Sequence, residues 1–122
     1  MSIAFAPPIP ILRMFDVEHA LRFYRDFLGF AVDWEHRFET GAPLYLQVSR
    51  SGVLLHLSEH HGDATPGSAI RIGVLAIEEL HASLAVKPYK YARPGIALKP
   101  WGQREMTVTD PSGNRIIFFA PA

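Results

Sequence analysis

His56 is the side chain in this sequence best suited to transfer a proton, because imidazole titrates near neutral pH. It lies within an apolar run at residues 53–58. A general base needs a partner that orients it, and the sequence pairs no acid with His56. Two interpretations stay open, a general base and a histidine satisfied by hydrogen bonds, and the second is favoured.

A metal site is another possibility, because histidine and carboxylate side chains follow one another closely after His56. Structural zinc sites need about four convergent ligands, whereas consecutive residues of a glycine-containing loop rarely point at one centre. A solvated polar loop is therefore favoured over a metal site. The residues concerned are His56, Glu59, His60, His61 and Asp63.

Composition argues against several other classes of function. The chain has 122 residues and no cysteine, which rules out disulfides, thiolate nucleophiles and zinc–thiolate sites. Lysine plus arginine and aspartate plus glutamate number 12 each, a balance that predicts no nucleic-acid or membrane partner. No nucleophile-elbow, Walker or dinucleotide-binding glycine pattern is present. The apolar N-terminal stretch is broken by prolines and has no basic region, so we expect no signal peptide and a cytoplasmic protein.

Aromatic side chains at predicted strands or strand ends are the strongest candidates for ligand binding. Aromatic walls with a few polar groups suit a planar or cationic ligand, through stacking and cation–π contacts. Core packing is the alternative for each residue, although a position between a proline and a glycine favours a cleft edge for Trp101. The aromatic candidates are Trp34, Tyr45, Trp101 and Phe119.

Charged and tyrosine residues could complete such a cleft. Glu105, beside the closing turn, could orient His56 or a cationic ligand, or could be a solvated charge at a strand end. Tyr89, Tyr91 and Arg93 could form the rim of the cleft or lie elsewhere on the surface. The predicted ligand-binding set is Trp34, Tyr45, His56, Trp101, Glu105 and Phe119.

The closing hairpin is the element around which these residues are expected to be arranged. Residues 105–120 contain two runs of β-branched and aromatic residues around Asp-Pro-Ser-Gly-Asn, a strong turn sequence. Because side chains alternate between the faces of a strand, Val108, Ile116 and Phe118 are predicted to face one way. The opposite face, where we expect function, is predicted to carry Thr107, Arg115, Ile117 and Phe119.

Hydrophobic and turn patterns in the chain before this hairpin, taken together with it, predict the element order β-α-β-β-β in each half of the chain. This order predicts the α+β class. In the first half, strands are predicted at 9–14, 30–36, 44–49 and 53–58, with a helix between Asp16 as its N-cap and Gly29 as its C-cap. In the second half, a strand at 69–75 and a helix at 77–84 precede an irregular stretch at 87–99 and the hairpin. We predict one domain at 1–122, with modules at about 9–58 and 69–120.

Four motifs in this order together carry a family resemblance. They are residues 16–24 with Leu-Gly-Phe at 28–30, residues 55–60, Pro-Trp-Gly at 100–102 and Asp-Pro-Ser-Gly-Asn at 110–114. With them the chain resembles the vicinal oxygen chelate superfamily, also called the glyoxalase/bleomycin-resistance fold, and is most similar to its bleomycin-resistance-type members. The resemblance implies paired β-α-β-β-β modules in a cupped, partly open mixed sheet with helices outside. It also implies a homodimer, in which strands could be swapped.

The resemblance further implies where a metal would be held. The four ligand positions of the superfamily's metal enzymes fall on Ile9, His56, Ala69 and Ile117. Aliphatic side chains offer no lone pair, and one imidazole cannot build a site of three or four ligands. We therefore expect no metal and no other cofactor.

The resulting hypothesis is a non-catalytic protein that sequesters an aromatic or cationic small molecule in a cleft of a homodimer. The resemblance implies a bleomycin-type antibiotic as the ligand. One alternative is a vicinal-oxygen-chelate enzyme, such as a lyase, dioxygenase or thiol transferase, with an atypical or metal-free site around His56. A second alternative is a small dimeric accessory module without a ligand.

Overall fold

The strands and helices follow the predicted order in a computed structural model that describes residues 2–122. The irregular stretch of the second half contains a short strand that the sequence did not predict. In chain order the elements are β1 (Ile11–Arg13), α1 (Val17–Leu21), a π-helical segment (Arg22–Phe27), β2 (Ala31–His36), β3 (Tyr45–Arg50), β4 (Val53–Ser58), β5 (Ala69–Gly73), α2 (Ile77–Ala85), β6 (Ala97–Leu98), β7 (Gln103–Thr109) and β8 (Arg115–Pro121).

The strands form two four-stranded mixed sheets, one in each half of the chain. The first has the order β1-β4-β3-β2 and the second the order β5-β8-β7-β6. In both sheets the first and last strands of the half pair in parallel, and the other pairs are antiparallel. The same order in both halves confirms the doubled β-α-β-β-β module and the α+β class. Among residues 2–122 no strand pairing joins the two sheets.

The first helix begins as predicted and then widens. The Asp16 carboxylate accepts a hydrogen bond from the backbone N–H of His19 at 2.9 Å, which satisfies an otherwise unpaired donor. After Leu21 the helix becomes π-helical and ends before Gly29, whose φ of +78° suits a residue without Cβ. No helix among residues 2–122 combines the length and apolar character needed to cross a bilayer.

Both sheets turn one face toward a shared hydrophobic core, into which the π-helical segment inserts Phe23, Tyr24 and Phe27. Side chains alternate along a strand, so the residues between the core positions lie on the opposite face of each sheet. The predicted alternation of the closing hairpin is confirmed, because its inward residues are buried while Thr107 and Arg115 are exposed. The core-facing strand residues include Leu46, Val48, Leu55, Leu57, Met106, Val108, Ile116 and Phe118.

The turn of the closing hairpin is fixed by Asp110, which is 6% exposed. One carboxylate oxygen accepts from the backbone N–H groups of Ser112 and Asn114, at 2.9 and 2.8 Å. The other accepts from the Asn114 amide at 2.9 Å and from the Tyr24 hydroxyl. The Asn114 amide also donates to the carbonyl of Arg13 at 2.8 Å, so the turn connects the two halves.

Candidate ligand-binding site

Trp34, Tyr45, Gln47 and His56 lie together on the side of the first sheet that is turned away from the core; we call this set the first face. Gln47 is the register partner of Trp34 on β2 and of His56 on β4. The Trp34 and Tyr45 rings are stacked, with centroids 6.0 Å apart and planes 13° from parallel. The His56 ring meets Trp34 edge-on at 5.3 Å and Tyr45 at 5.1 Å. The strand pairing therefore gathers three rings into one aromatic wall.

A β-bulge on β2 places Trp34 on this face. Val32 pairs with Val48, yet Trp34 pairs with Gln47, so one extra residue lies between them on β2. Strict alternation would have put Trp34 on the same side as Val32, toward the core. The extra residue, Asp33, accepts hydrogen bonds from Gln47 Nε2 at 2.9 Å and from Ser49 Oγ at 3.0 Å. These bonds hold the bulge, and the Trp34 side chain stays 42% exposed.

Both ring nitrogens of His56 have hydrogen-bond partners. Nε2 lies 3.0 Å from Gln47 Oε1, an oxygen that can only accept, so Nε2 carries the hydrogen. Nδ1 therefore accepts from the Tyr45 hydroxyl, 2.7 Å away. Partial burial lowers the pKa of His56 and favours this neutral form. Neither nitrogen is left to act as a base or to bind a metal without breaking a hydrogen bond.

Arg71, Trp101, Glu105 and Phe119 lie together on the corresponding side of the second sheet; we call this set the second face. Trp101 Nε1 and Arg71 Nη2 both donate to Glu105 Oε2, at 2.8 and 3.0 Å. The Arg71 guanidinium carbon lies 4.6 Å from the centroid of the Phe119 ring. The hydrogen bond from Arg71 is the main reason why the pKa of Glu105 is lowered. Glu105 is thus an ionised, nearly buried carboxylate that holds Arg71 and Trp101 in place.

The six predicted ligand-binding residues divide equally between the two faces. Trp34, Tyr45 and His56 belong to the first face, whereas Trp101, Glu105 and Phe119 belong to the second. The suggestion that Glu105 orients His56 is wrong, because Glu105 binds Arg71 and Trp101 on the other sheet. Among residues 2–122 no hydrogen bond or ring contact joins the two groups, since both sheets turn their other face to the shared core.

Four polar residues on or beside these faces were not among the predicted site residues: Asp33, Gln47, Arg71 and Gln103. Arg71 carries the positive charge of the second face, and Gln103 accepts a hydrogen bond from it at 2.7 Å. The alternation of Ile70 and Ile72 with Arg71 was a usable signal, because it places Arg71 opposite the core. Asp33 had no such signal, because the bulge that it occupies is not visible in the sequence.

The residues present do not fit the metal site of the superfamily's enzymes. Ile9, Ala69 and Ile117 offer no donor atom, and among residues 2–122 no three histidine or carboxylate side chains converge. The loop residues have other partners. Glu59 accepts from the backbone of Leu44 at 2.9 Å, and Asp63 accepts from Ser58 at 2.6 Å.

Two open grooves of the molecule lie away from both faces. The first groove has a volume of about 570 Å³ and lies between the β3–β4 turn and the start of α2. The other, of about 430 Å³, is lined by Tyr89 and Tyr91 together with His19 and Arg22 of the first helix. Tyr89 stacks on Phe27 with ring centroids 4.7 Å apart. The two tyrosines therefore lie on a different surface from the aromatic residues of the two faces.

Comparison with known proteins gives consistent results. A family model described as "Glyoxalase superfamily protein" matches residues 1–121. The bleomycin-binding protein of bleomycin-producing Streptomyces verticillus, solved with copper(II)-bleomycin, is 32% identical over 99% of this chain and 100% of that chain, with a TM-score of 0.73. No match was found among curated protein sequences.

Two further solved structures share the fold at lower identity. The antibiotic-binding protein TnmS3 from Streptomyces sp. CB03234 is 23% identical over 100% of this chain and 99% of that chain, with a TM-score of 0.72. A bleomycin resistance determinant encoded on the transposon Tn5 is 18% identical over 96% of this chain and 98% of that chain, with a TM-score of 0.71.

Proposed function

This chain belongs to the glyoxalase superfamily, and we propose that within it the protein sequesters a small aromatic or cationic molecule without transforming it. The observation that carries the proposal is the aromatic wall of Trp34, Tyr45 and His56. Rigid rings presented to solvent bind planar or cationic groups by stacking and cation–π attraction. Asp33, exposed beside Trp34, adds a carboxylate suited to a cation.

A second copy of the chain would complete the cleft. The two faces point away from a common core, so a single chain leaves both open to solvent on one side. Trp34 on the first face and Trp101 on the second are large aromatic side chains that are 42% and 62% exposed. Pairing of two copies would cover this surface and enclose a ligand between facing sheets.

Bleomycin-type antibiotics are the first ligand class to test. The relative from Streptomyces verticillus that is 32% identical along its whole length was solved with copper(II)-bleomycin. Identity at this level supports a related ligand chemistry without fixing the ligand itself. In such a complex the planar part of the antibiotic would pack against Trp34 or Trp101 in the cleft.

The experiment is a thermal-shift and calorimetric titration with metal-free bleomycin, copper(II)-bleomycin and simple aromatic cations. A ligand that binds only the native state raises the unfolding temperature. We expect a saturable shift for at least one ligand, lost in Trp34→Ala and kept in Tyr91→Ala. Tyr91 is 75% exposed and lies on another surface, so it is a matched control. The proposal fails if no ligand raises the unfolding temperature, or if both variants respond alike.

The alternative of an enzyme acting through His56 has less support. A general base needs an available nitrogen, and both nitrogens of His56 have protein partners. Metal analysis of the purified protein separates the two functions. A stoichiometric divalent metal lost in His56→Ala would favour the enzyme.

A further inference from the structure

We propose that the second face binds an anionic group of the ligand, a carboxylate or similar oxyanion, through the guanidinium of Arg71. This inference rests on the proposed function, because it concerns the same ligand. It adds a charge requirement to that function: the molecule would carry an oxyanion near its planar part, which favours an aromatic acid over an aromatic cation as the ligand.

The exposure of the Arg71–Glu105 ion pair is uneven. The Arg71 side chain is 42% exposed, whereas Glu105 is only 6% exposed. The carboxylate is covered by its partners, because Trp101 and Arg71 both donate to the same oxygen. A ligand approaching from solvent therefore meets the cation first, and the opposite charge lies behind it.

Arg71 also keeps hydrogen-bond donors for a ligand. Within the described part of the chain, residues 2–122, only its Nη2 atom has partners, Gln103 Oε1 at 2.7 Å and Glu105 Oε2 at 3.0 Å. A guanidinium has five N–H groups, so those at Nε and Nη1 have no protein acceptor among residues 2–122. Stacking on Phe119 at 4.6 Å fixes the plane of the group before a ligand arrives. A donor held in place in this way binds an oxyanion at a smaller entropic cost than a mobile side chain.

The charges around Arg71 favour an anion over a cation. On β5, β7 and β8, the side chains on this side of the sheet include two arginines, Arg71 and Arg115, and one carboxylate, Glu105. Lys99 lies close to Trp101, with Nζ 5.9 Å from the ring. The corresponding side of the first sheet has no such excess of cations, because it carries the exposed carboxylate Asp33 together with Arg13 of β1.

The experiment compares two probes that share a ring system and differ in charge, 2-naphthoate and the neutral 2-naphthamide. Isothermal titration calorimetry measures both affinities for the full chain, for Arg71→Met and for the control Arg22→Met, which removes an exposed arginine of the first helix. We expect the unmodified protein to bind 2-naphthoate about tenfold more tightly than 2-naphthamide, the size of a charged hydrogen bond. We expect Arg22→Met to keep this preference and Arg71→Met to abolish it.

Arg71→Lys keeps a positive charge beside Glu105. It replaces Arg71→Met in the calorimetric test if the methionine variant does not fold. It should lower the preference for 2-naphthoate severalfold, because an ammonium has fewer donors and does not stack as a plane. Equal affinities for the two probes, or a preference unchanged in the folded Arg71 variants, would overturn the anion inference and leave the proposed function standing. If neither probe binds, the inference fails, and the thermal-shift titration with bleomycins and aromatic cations decides the proposed function separately.

Discussion

The Tyr24 hydroxyl donates a hydrogen bond to Asp110 Oδ2 at 2.6 Å, and both residues are almost completely buried. This bond joins the helix of the first half to the hairpin turn of the second. Burial is the main reason why the pKa of Tyr24 is raised, so the hydroxyl keeps its hydrogen and remains the donor. The turn that opens the closing strand is therefore anchored to the other half of the chain.

Loss of this hydroxyl should destabilise the whole domain. We expect Tyr24→Phe to lower the free energy of unfolding by about 1–3 kcal/mol, the usual effect of leaving a buried charged acceptor without one donor. Urea denaturation measures it. Tyr91→Phe is the control and should change the free energy by less than about 0.5 kcal/mol, since Tyr91 is 75% exposed. Equal effects in the two variants would mean that the bond contributes little.

Trp101 should affect ligand binding far more than stability. Its side chain is 62% exposed, so we expect Trp101→Ala to fold normally and to lose the thermal shift caused by a ligand. Trp101→Phe keeps an aromatic ring and loses only the N–H that donates to Glu105, so it should retain part of the binding. Calorimetry on the same ligand series measures both. Normal binding by the alanine variant would remove Trp101 from the site.

The tautomer of His56 can be read directly by nitrogen NMR. We expect the hydrogen on Nε2 and a bare Nδ1, and we expect Tyr45→Phe to change this distribution because it removes the donor to Nδ1. A spectrum with the hydrogen on Nδ1 in the unmodified protein would contradict the assigned network.

The lowered pKa of His56 also sets a pH dependence. The unfolded state takes up a proton near the ordinary pKa of 6.5, whereas the folded state does so only at lower pH. The contribution of His56 to stability is therefore complete above that value and is lost as pH falls through the folded pKa. Unfolding titrations should show this loss in the unmodified protein and a smaller one in His56→Gln. The same slope in both proteins would assign the effect to other groups.

Backbone strain at Ala76 predicts a stabilising substitution. This residue precedes α2 with φ of 58° and ψ of 55°, a left-handed conformation that costs residues with a Cβ about 1 kcal/mol. We expect Ala76→Gly to raise the free energy of unfolding by several tenths of a kcal/mol, after the greater freedom of glycine in the unfolded chain is included. Ala82→Gly, at an exposed position within the same helix, should lower it by roughly 0.5–1 kcal/mol. Denaturation midpoints of Ala76→Gly and Ala82→Gly that shift in the same direction from that of the unmodified protein would contradict the assigned strain at Ala76.

Part of the site could be predicted from local pattern. Alternation in the closing hairpin correctly put Phe119 on the side away from the core, and the same rule applied to β5 would have put Arg71 there. The partners of these residues could not be predicted. The sequence allows Glu105 as a partner of His56, but β7 pairs with β8 in the second sheet and His56 lies on β4 in the first. Strand pairing between distant segments decides such contacts, and short stretches of sequence do not encode it.

The sequence by itself determined the order of elements, the turn at Asp110 and the absence of metal donors at Ile9, Ala69 and Ile117, because these depend on residue type and short-range spacing. Only the tertiary structure decided that a bulge turns Trp34 outward, that Tyr45 and Gln47 occupy both nitrogens of His56, and that Glu105 secures Arg71. These contacts depend on the register between strands and on which face of each sheet meets the core. Packing of the whole chain sets both.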